Sequence, residues 1–298
     1  MGNHDAALAR SDVQRAMAEC LSAAGSPSLC FTPWFVRRGA VHVEHGHVYD
    51  PDNAPLHPLA EFDPDDEPLG VVLMRRFIAK RGVWEFAHGN ETTPLDGLIR
   101  TFRAYGPKAP LLVLRYHALA MSIVYGAGAS RARDQRRLAA ARSVEAFAGR
   151  AGLPADTLRE LAIGAARPTH LDALTTFQRL YLDRSLATLA LGAALAGAGL
   201  GSAAGAGAAA LAATYLGVSI ARGTNRYGGL LERRLEDAAR WVRDRAHAEL
   251  VVFGHSHRRS STAGYENPGS FAYPNGNERS YVIVERESAP EVRTLALR

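Results

Sequence analysis

Residues 40–50 read AVHVEHGHVYD, an alternating apolar run that gives way to glycine and histidine. Such alternation predicts a half-buried β-strand, and Gly46 marks its end. A second run, AELVVFGHSH at 248–257, ends in the same way. Because open sheets bind ligands where strands end, we expect the two His-x-His pairs to line a site. These pairs are His45 with His47 and His255 with His257.

Further strand and helix signals surround these two runs. SLCFTPWFV at 28–36 precedes the first, and a turn around Arg37–Gly39 predicts a hairpin or a meander. Residues 280–286 and 291–298 predict additional strands near the C-terminus. Apolar residues at three- and four-residue spacing predict a helix over 12–24.

The middle of the chain is predicted to be helical. A Pro- and Asp-rich loop leads away from the first strands, and strand signals return only near residue 248. The sequence therefore predicts an α/β (α+β) core formed by residues 1–58 and 248–298. Residues 59–247 form one large helical insertion between these parts.

The insertion contains the segment 186–220, which carries no charged residue. A membrane-spanning helix needs roughly 20 predominantly apolar residues, and arginines flank this segment on both sides, as at membrane boundaries. Small residues near Gly199–Gly201 favour a hairpin of two helices. A pair of spans and a buried soluble helix pair are the alternatives. A second apolar stretch, 111–129, contains Arg115 and is interpreted as a core or interfacial helix.

Charge and cysteine content limit the cellular setting. The net charge is +5, and lysine occurs only at Lys80 and Lys108, so arginine supplies most of the positive charge. Such a charge permits attraction to phosphate groups. Cys20 and Cys30 form no disulfide framework, and no signal peptide begins the chain. We expect the protein on the cytoplasmic side, associated with the inner membrane.

Four blocks occur in a characteristic order. They are GNHD at 2–5, HGHVYD at 45–50, GHSH at 254–257 and YENPGS at 265–270. In this order they resemble the later signature blocks of the calcineurin-like metallophosphoesterases. The resemblance covers roughly residues 1–53 and 248–285, and it leaves the helical insertion unexplained.

The resemblance implies a four-layer αββα metallophosphoesterase sandwich with two divalent transition metals, manganese or iron. Asn3, His45 and His255 would bind one ion, and His257 would bind the other. Two such cations neutralise a phosphate and lower the pKa of a bridging water.

Roles for other residues follow from the same resemblance. His4 would steady the attacking or leaving oxygen, and Asp5 would orient His4. Asn267 and Gly269 would shape the loop after the metal-binding turn, and His47 would stand on the substrate side of the site.

The chain departs from the family at its beginning. The Asp-x-His and Gly-Asp blocks do not occur before Gly2, so the carboxylate that bridges the two metals is missing. We therefore expect an N-terminally incomplete core, at most one bound metal and impaired hydrolysis. The place of Met1 predicts a truncated or wrongly started reading frame; a degenerate homologue and a split protein are alternatives.

The expected function is metal-dependent hydrolysis of a phosphoric ester or pyrophosphate. The alternative is a non-catalytic membrane-associated binding protein derived from the same fold. The apolar insertion suggests a lipid-linked pyrophosphate such as UDP-2,3-diacylglucosamine, whose hydrolases are similar in coupling such a core to a helical lid. The basic run RARDQRRLAAAR at 131–142 is interpreted as a solvated helix face, because it lacks the aromatic residues of a nucleic-acid platform.

Overall fold

A computed structural model describes residues 2, 8, 10–23, 30–61, 63–83, 94–223, 230–270, 278–283 and 291–296. The chain divides into two compact units. The first comprises Met1–Val71, Ser130–Pro168 and Leu231–Arg298, and the second comprises Val72–Ala129 and Thr169–Leu230. Residues 130–168 and the helix that begins near 231, predicted within the insertion, are thus grouped with the strands.

The described residues form helices and strands with the following bounds. The helices are α1 (Ser11–Ala23), α2 (Leu69–Leu73), α3 (Pro94–Tyr105), α4 (Ala109–Gly126), α5 (Arg131–Arg142), α6 (Val144–Ala151), α7 (Ala155–Ile163), α8 (Ala173–Arg179), α9 (Leu182–Gly199), α10 (Ala203–Gly223) and α11 (Leu230–Ala246). The strands are β1 (Phe35–Arg38), β2 (Val41–Glu44), β3 (Leu250–Phe253), β4 (Arg259–Thr262), β5 (Tyr265–Pro268), β6 (Glu278–Ile283) and β7 (Glu291–Ala296).

The first unit contains a five-stranded mixed sheet with the order β1-β2-β3-β5-β4. Strand β3 is parallel to both β2 and β5, whereas β1–β2 and β4–β5 are antiparallel pairs. Strands β6 and β7 form a separate antiparallel pair. The predicted α/β class is confirmed. The strand predicted at 28–36 is displaced towards the C-terminus, because β1 begins only at Phe35.

The hairpin of β1 and β2 is confirmed, but its turn is shorter than predicted. Arg37 and Arg38 still pair with His42 and Val41, so both arginines belong to β1. The turn is made by the next two residues, of which Gly39 has a φ of 57°. Glycine adopts this left-handed conformation without the steric cost of a Cβ atom.

One buried core joins this sheet to three helices of the first unit. The ring of Phe35 in β1 meets that of Phe147 in α6 edge to face, with centroids 5.3 Å apart. Leu158 and Leu161 of α7 and Leu235 of α11 are fully buried in the same cluster. Each such leucine contributes about 1.5–3 kcal/mol relative to an exposed one. This packing explains why α6, α7 and α11 are grouped with the strands.

The basic helix α5 is tied to the loop before α2. The guanidinium of Arg133 donates to Oδ1 of Asp66 over 2.7 Å, and that of Arg136 donates to Oδ2 over 2.9 Å. Arg136 also pairs with Asp63. The Asp66 side chain is only 3% exposed. The interpretation of α5 as a solvated face is therefore incomplete, because two of its arginines hold a buried carboxylate.

The second unit contains the predicted hairpin. Helix α9 ends at Gly199 and α10 begins at Ala203, and Gly201 between them has a φ of 85°. A Cβ atom on Gly205 would lie 2.6 Å from the backbone nitrogen of Ala198. The two helices therefore approach closely, as small residues permit. The predicted turn near Gly199–Gly201 is confirmed.

Two helical runs among the described residues are long and apolar enough to cross a membrane, by length and composition. They are Leu98–Gly126 and Ala203–Ala221. The first contains α4, whose Leu114 and Tyr125 are exposed. Helix α4 is thus buried on one side only, where Leu112 packs against Phe77 and Ile78. Leu211 of α10 is likewise exposed, so this helix is not buried by the described residues of the chain.

Candidate functional site

The candidate site lies where two neighbouring parallel strands end together. Glu44 of β2 lies opposite Phe253 of β3, so the chain leaves both strands at the same edge of the sheet. The N–H of Gly254 donates to the carbonyl oxygen of His45 over 3.1 Å. The HGH and GHSH segments therefore begin side by side.

Three of the four paired histidines bring their rings together. The ring centroid of His45 lies 5.1 Å from that of His47 and 5.2 Å from that of His255. The centroids of His47 and His255 are 6.4 Å apart. The two segments therefore meet at these three rings. His257 is exposed, two positions beyond His255.

Gly46 allows the chain to turn between His45 and His47. Its φ is 94°, and it precedes the 3₁₀ turn His47–Tyr49. A Cβ atom at this position would lie 3.2 Å from Cβ of Phe253 and 3.3 Å from Cδ2 of Leu235. Backbone conformation and close packing both favour glycine here.

Asp50 joins the histidine cluster, although the sequence reasoning did not select it. Nε2 of His255 donates a hydrogen bond to Oδ2 of Asp50 over 2.9 Å. The carboxylate also accepts from Nδ2 of Asn53 and from the backbone N–H of Asp52. Asp50 is the last residue of the HGHVYD block. This position is the one feature of the sequence that could have identified Asp50 as a site residue.

These contacts change the acidity of the Asp50 carboxyl. Burial alone would raise its pKa, because a charged group is poorly solvated in the interior. The hydrogen bond and positive charge of His255, together with the donors from Asn53 and Asp52, outweigh burial and lower the pKa to about 2. The carboxylate therefore stays ionised and available to His255 at neutral pH.

The GHSH loop has an unusual backbone. His255 has a φ of 65° and His257 a φ of 58°, both in the left-handed region. Residues other than glycine rarely adopt this region, although histidine does so more readily than most, and strained residues of this kind cluster at active sites and ligand clamps. Surrounding contacts must therefore hold the loop in place.

Asn267 provides such contacts from β5. Its side chain is fully buried, and Nδ2 donates to the carbonyl oxygen of Gly254 over 2.7 Å and to Oγ of Ser256 over 3.0 Å. Its Oδ1 accepts from the N–H of Gly269 over 3.0 Å. The two residues expected to shape this loop are thus bonded to each other, and Asn267 also bonds to the loop.

A buried network lies under the end of β2. The Glu44 carboxylate accepts hydrogen bonds from Nε1 of Trp34 at 2.9 Å, Nε2 of His42 at 3.0 Å and the hydroxyl of Tyr49 at 3.3 Å. Burial, reinforced by the Glu44 carboxylate, holds the pKa of the Tyr49 hydroxyl well above its usual value. His42 therefore belongs to this network, which fixes the strand end that carries His45.

The described residues supply only part of a metal site. Within the part of the chain that the structure describes, no group of three or more His, Cys, Asp or Glu residues is arranged to hold a metal ion. The imidazoles of His45 and His255 are suitable donors for a transition metal. The predicted residues Asn3, His4 and Asp5 lie outside the described residues. A complete ligand set therefore needs a donor from elsewhere.

Comparison with known proteins identifies no relative whose site could be compared with this histidine cluster. The chain matches no family model, no curated protein and no solved structure. The resemblance to metallophosphoesterases therefore rests on the four sequence blocks.

Proposed function

We propose that this protein is a metal-dependent phosphoesterase that hydrolyses a phosphoric ester or pyrophosphate. The proposal includes the four-layer metallophosphoesterase sandwich as its complete architecture. The observation that carries it is the meeting of His45 and His255 at the ends of adjacent parallel strands, with Asp50 bonded to His255. Metal and phosphate sites are commonly built at such strand ends.

The Asp50 contact supports a ligand role for His255. Because Nε2 donates its proton to the carboxylate, neutral His255 carries its lone pair on Nδ1. Metal-binding histidines usually have this arrangement, in which a carboxylate orients the ring and raises its basicity. Asp50 thus acts as a positioning residue for His255.

The proposed ligand set combines His45 and His255 with Asn3, and the ion is manganese or iron. A divalent cation in this place neutralises phosphate charge and activates water. Because the described residues do not complete the set, we expect at most one ion per chain and slow hydrolysis.

Metal binding tests the proposal most directly. Purified, dialysed protein is titrated with Mn²⁺, and its retained metal is measured. We expect His255→Asn to weaken binding at least about tenfold. The matched control is His247→Asn, because His247 is exposed and has a similar φ of 49°. Asparagine tolerates this conformation at both positions. Equal binding by the two variants, or no retained metal in the unmodified protein, contradicts the proposal.

Hydrolysis provides the second readout. Release of nitrophenol from a chromogenic phosphodiester is expected to be slow, to require Mn²⁺ and to disappear in His255→Asn. A rate that is unchanged by a chelator contradicts a metal-dependent reaction.

A second candidate function is membrane-associated binding without catalysis. Two observations favour it: the apolar helical runs and the incomplete ligand group among the described residues. A lipid-linked pyrophosphate such as UDP-2,3-diacylglucosamine is the runner-up substrate for the hydrolase, and the same lipid serves as a probe that separates the two functions. Saturable binding of such a lipid without release of any product, in Mn²⁺, would favour the binding protein over the hydrolase.

A further inference from the structure

The helices α9 and α10 are apolar on opposite faces. Leu186 and Leu195 of α9 are nine positions apart, which places them on opposite sides of a helix with 3.6 residues per turn. Both are more than half exposed, at 58% and 56%. Leu211 and Ile220 of α10 have the same spacing and are also exposed. A groove on a partner protein would cover one face of a helix. The acyl chains of a bilayer, in contrast, contact every apolar face that the helix leaves exposed.

The dimensions of the hairpin match those of a bilayer. Helix α9 has 18 residues and α10 has 21. At about 1.5 Å per residue they are about 27 Å and 32 Å long, and the hydrocarbon core of a bilayer is about 30 Å thick. Two hydroxyl groups in the helices bond to their own backbone, from Thr188 to Arg184 and from Thr214 to Ala210. Such internal bonds satisfy polar groups where water is absent.

The charged residues of the hairpin lie at the end opposite its tip. Leu200 at the tip is exposed, whereas Asp183 and Arg184 begin α9. Oδ2 of Asp183 accepts from the Tyr215 hydroxyl over 2.7 Å, and Arg184 donates to the carbonyl oxygen of Ser219 over 2.8 Å. Charged groups near a membrane are expected to be paired in this way.

Residues that pack in the core of the first unit must lie on the same side of the membrane, and this limits which apolar helices can cross it. Phe35 precedes α4 in the chain and Phe147 follows it, yet their rings are in contact. A single crossing by α4 would separate them on opposite sides of the membrane. Leu161 precedes the hairpin and Leu235 follows it, and they share the same core. The hairpin therefore enters and leaves on one side, and α4 does not cross.

Contacts of α4 agree with this assignment. Nε2 of His117, in the middle of α4, lies 3.0 Å from Oγ of Ser185 near the start of α9. The N–H of Gly128 after α4 donates to the carbonyl oxygen of His170. The second half of α4 thus accompanies residues 170–185, which precede the apolar part of the hairpin.

We infer that α9 and α10 form a membrane-inserted hairpin whose two ends lie on the same side of the membrane, and that α4 lies at the membrane surface. Phospholipid is the partner that covers the hairpin. This inference is independent of metal binding and hydrolysis, so either proposal can fail while the other holds.

Flotation of the full chain with liposomes of phosphatidylethanolamine and phosphatidylglycerol tests the inference. We expect the unmodified protein to float after a carbonate wash. The double variant Leu189→Arg with Leu211→Arg should lower the floating fraction at least about tenfold, because both exposed leucines lie near the middle of their helices and arginine is costly at the centre of a bilayer. The control is Leu138→Arg with Ile163→Arg, at exposed leucine and isoleucine positions of the first unit, and it should float normally.

The substitution Leu114→Arg tests whether α4, in addition to the hairpin, crosses the membrane. Leu114 is 66% exposed in α4, so the substitution should leave folding and flotation unchanged if α4 does not cross. A loss as large as that of the hairpin variant overturns the assignment. Release of the unmodified protein by carbonate without detergent overturns insertion itself. Circular dichroism of each variant shows whether its helices remain folded.

The tip provides a measurement that does not depend on a charged substitution. In a Cys20→Ser, Cys30→Ser background, Leu200→Cys should resist a membrane-impermeant maleimide until the liposomes are permeabilised. Cys20 of the unmodified protein is exposed and should react without permeabilisation when the first unit faces outward. Equal labelling of both positions in intact liposomes overturns the inference.

Discussion

Nε2 of His255 lies 2.9 Å from Oδ2 of Asp50, and 205 positions in the chain separate the two residues. Both are largely buried, with side chains 7% and 10% exposed. The contact joins the loop after β3 to the turn after β2. It therefore couples the stability of the sheet edge to the orientation of the histidine cluster.

Asp50→Asn should weaken metal binding without removing a proposed ligand. The amide no longer carries the charge that orients His255, and loss of such a partner usually lowers metal affinity about 10- to 100-fold. Titration with Mn²⁺ measures the change. Asp12→Asn, at an exposed position, is the control. Unchanged affinity in Asp50→Asn contradicts the positioning role.

The same carboxylate should make stability depend on pH when metal is removed with a chelator. The pKa of Asp50 is about 2 in the folded chain, against about 3.9 in an unfolded chain. Since the folded value is the lower one, its stabilising contribution is fully present above about pH 4 and is lost as the pH falls towards 2. The free energies of denaturant unfolding of the unmodified protein and of Asp50→Asn should therefore converge as the pH falls from about 4 to about 2. A constant difference over this range contradicts the expectation.

Gly46→Ala should disturb the site more than Gly39→Ala. Both glycines have positive φ, so both substitutions carry a backbone cost of about 1 kcal/mol. A Cβ atom at Gly46 also meets Phe253 and Leu235, whereas nothing lies within 4 Å of one at Gly39. Thermal unfolding should show the larger loss in Gly46→Ala, and Mn²⁺ affinity should fall in that variant alone.

Asp66→Ala should cost about 1–3 kcal/mol, because it leaves Arg133 and Arg136 without their buried partner. Asp237→Ala removes a carboxylate that pairs with Arg240 on the surface, where its side chain is 68% exposed. Surface pairs contribute at most about 1 kcal/mol. The free energies of unfolding of the two variants are measured in denaturant and compared. Equal losses would show that burial of Asp66 adds nothing.

Gly205→Ala and Gly207→Ala compare two positions of one helix. A methyl group at Gly205 collides with the backbone of α9, whereas one at Gly207 meets nothing within 4 Å. We expect Gly205→Ala to lose about 1–3 kcal/mol through overpacking. Gly207→Ala should gain up to about 1 kcal/mol from helix propensity. Thermal loss of the helical signal in detergent measures both, and the opposite order contradicts close packing of the hairpin.

The site was predictable where a short segment carries the whole signal. The HGH and GHSH segments follow strand patterns, so the meeting of His45 with His255 could be expected. Asp50 could not be selected in this way, because its partner His255 comes from the loop after β3 and not from its neighbours in the chain. From the sequence, Glu44 is an ordinary polar residue of a strand. Only the tertiary structure shows that its carboxylate accepts three hydrogen bonds.

The sequence by itself determined the α/β class, the β1–β2 hairpin, the helical middle of the chain and the turn between α9 and α10. These features depend on neighbouring residues, whose spacing and size are visible in the chain. Only the tertiary structure decided the strand order, the place of α6, α7 and α11 in the core of the sheet, and the partner of His255. These features depend on apolar burial and hydrogen bonds between residues far apart in the chain, and a local pattern does not encode which distant surfaces pack together.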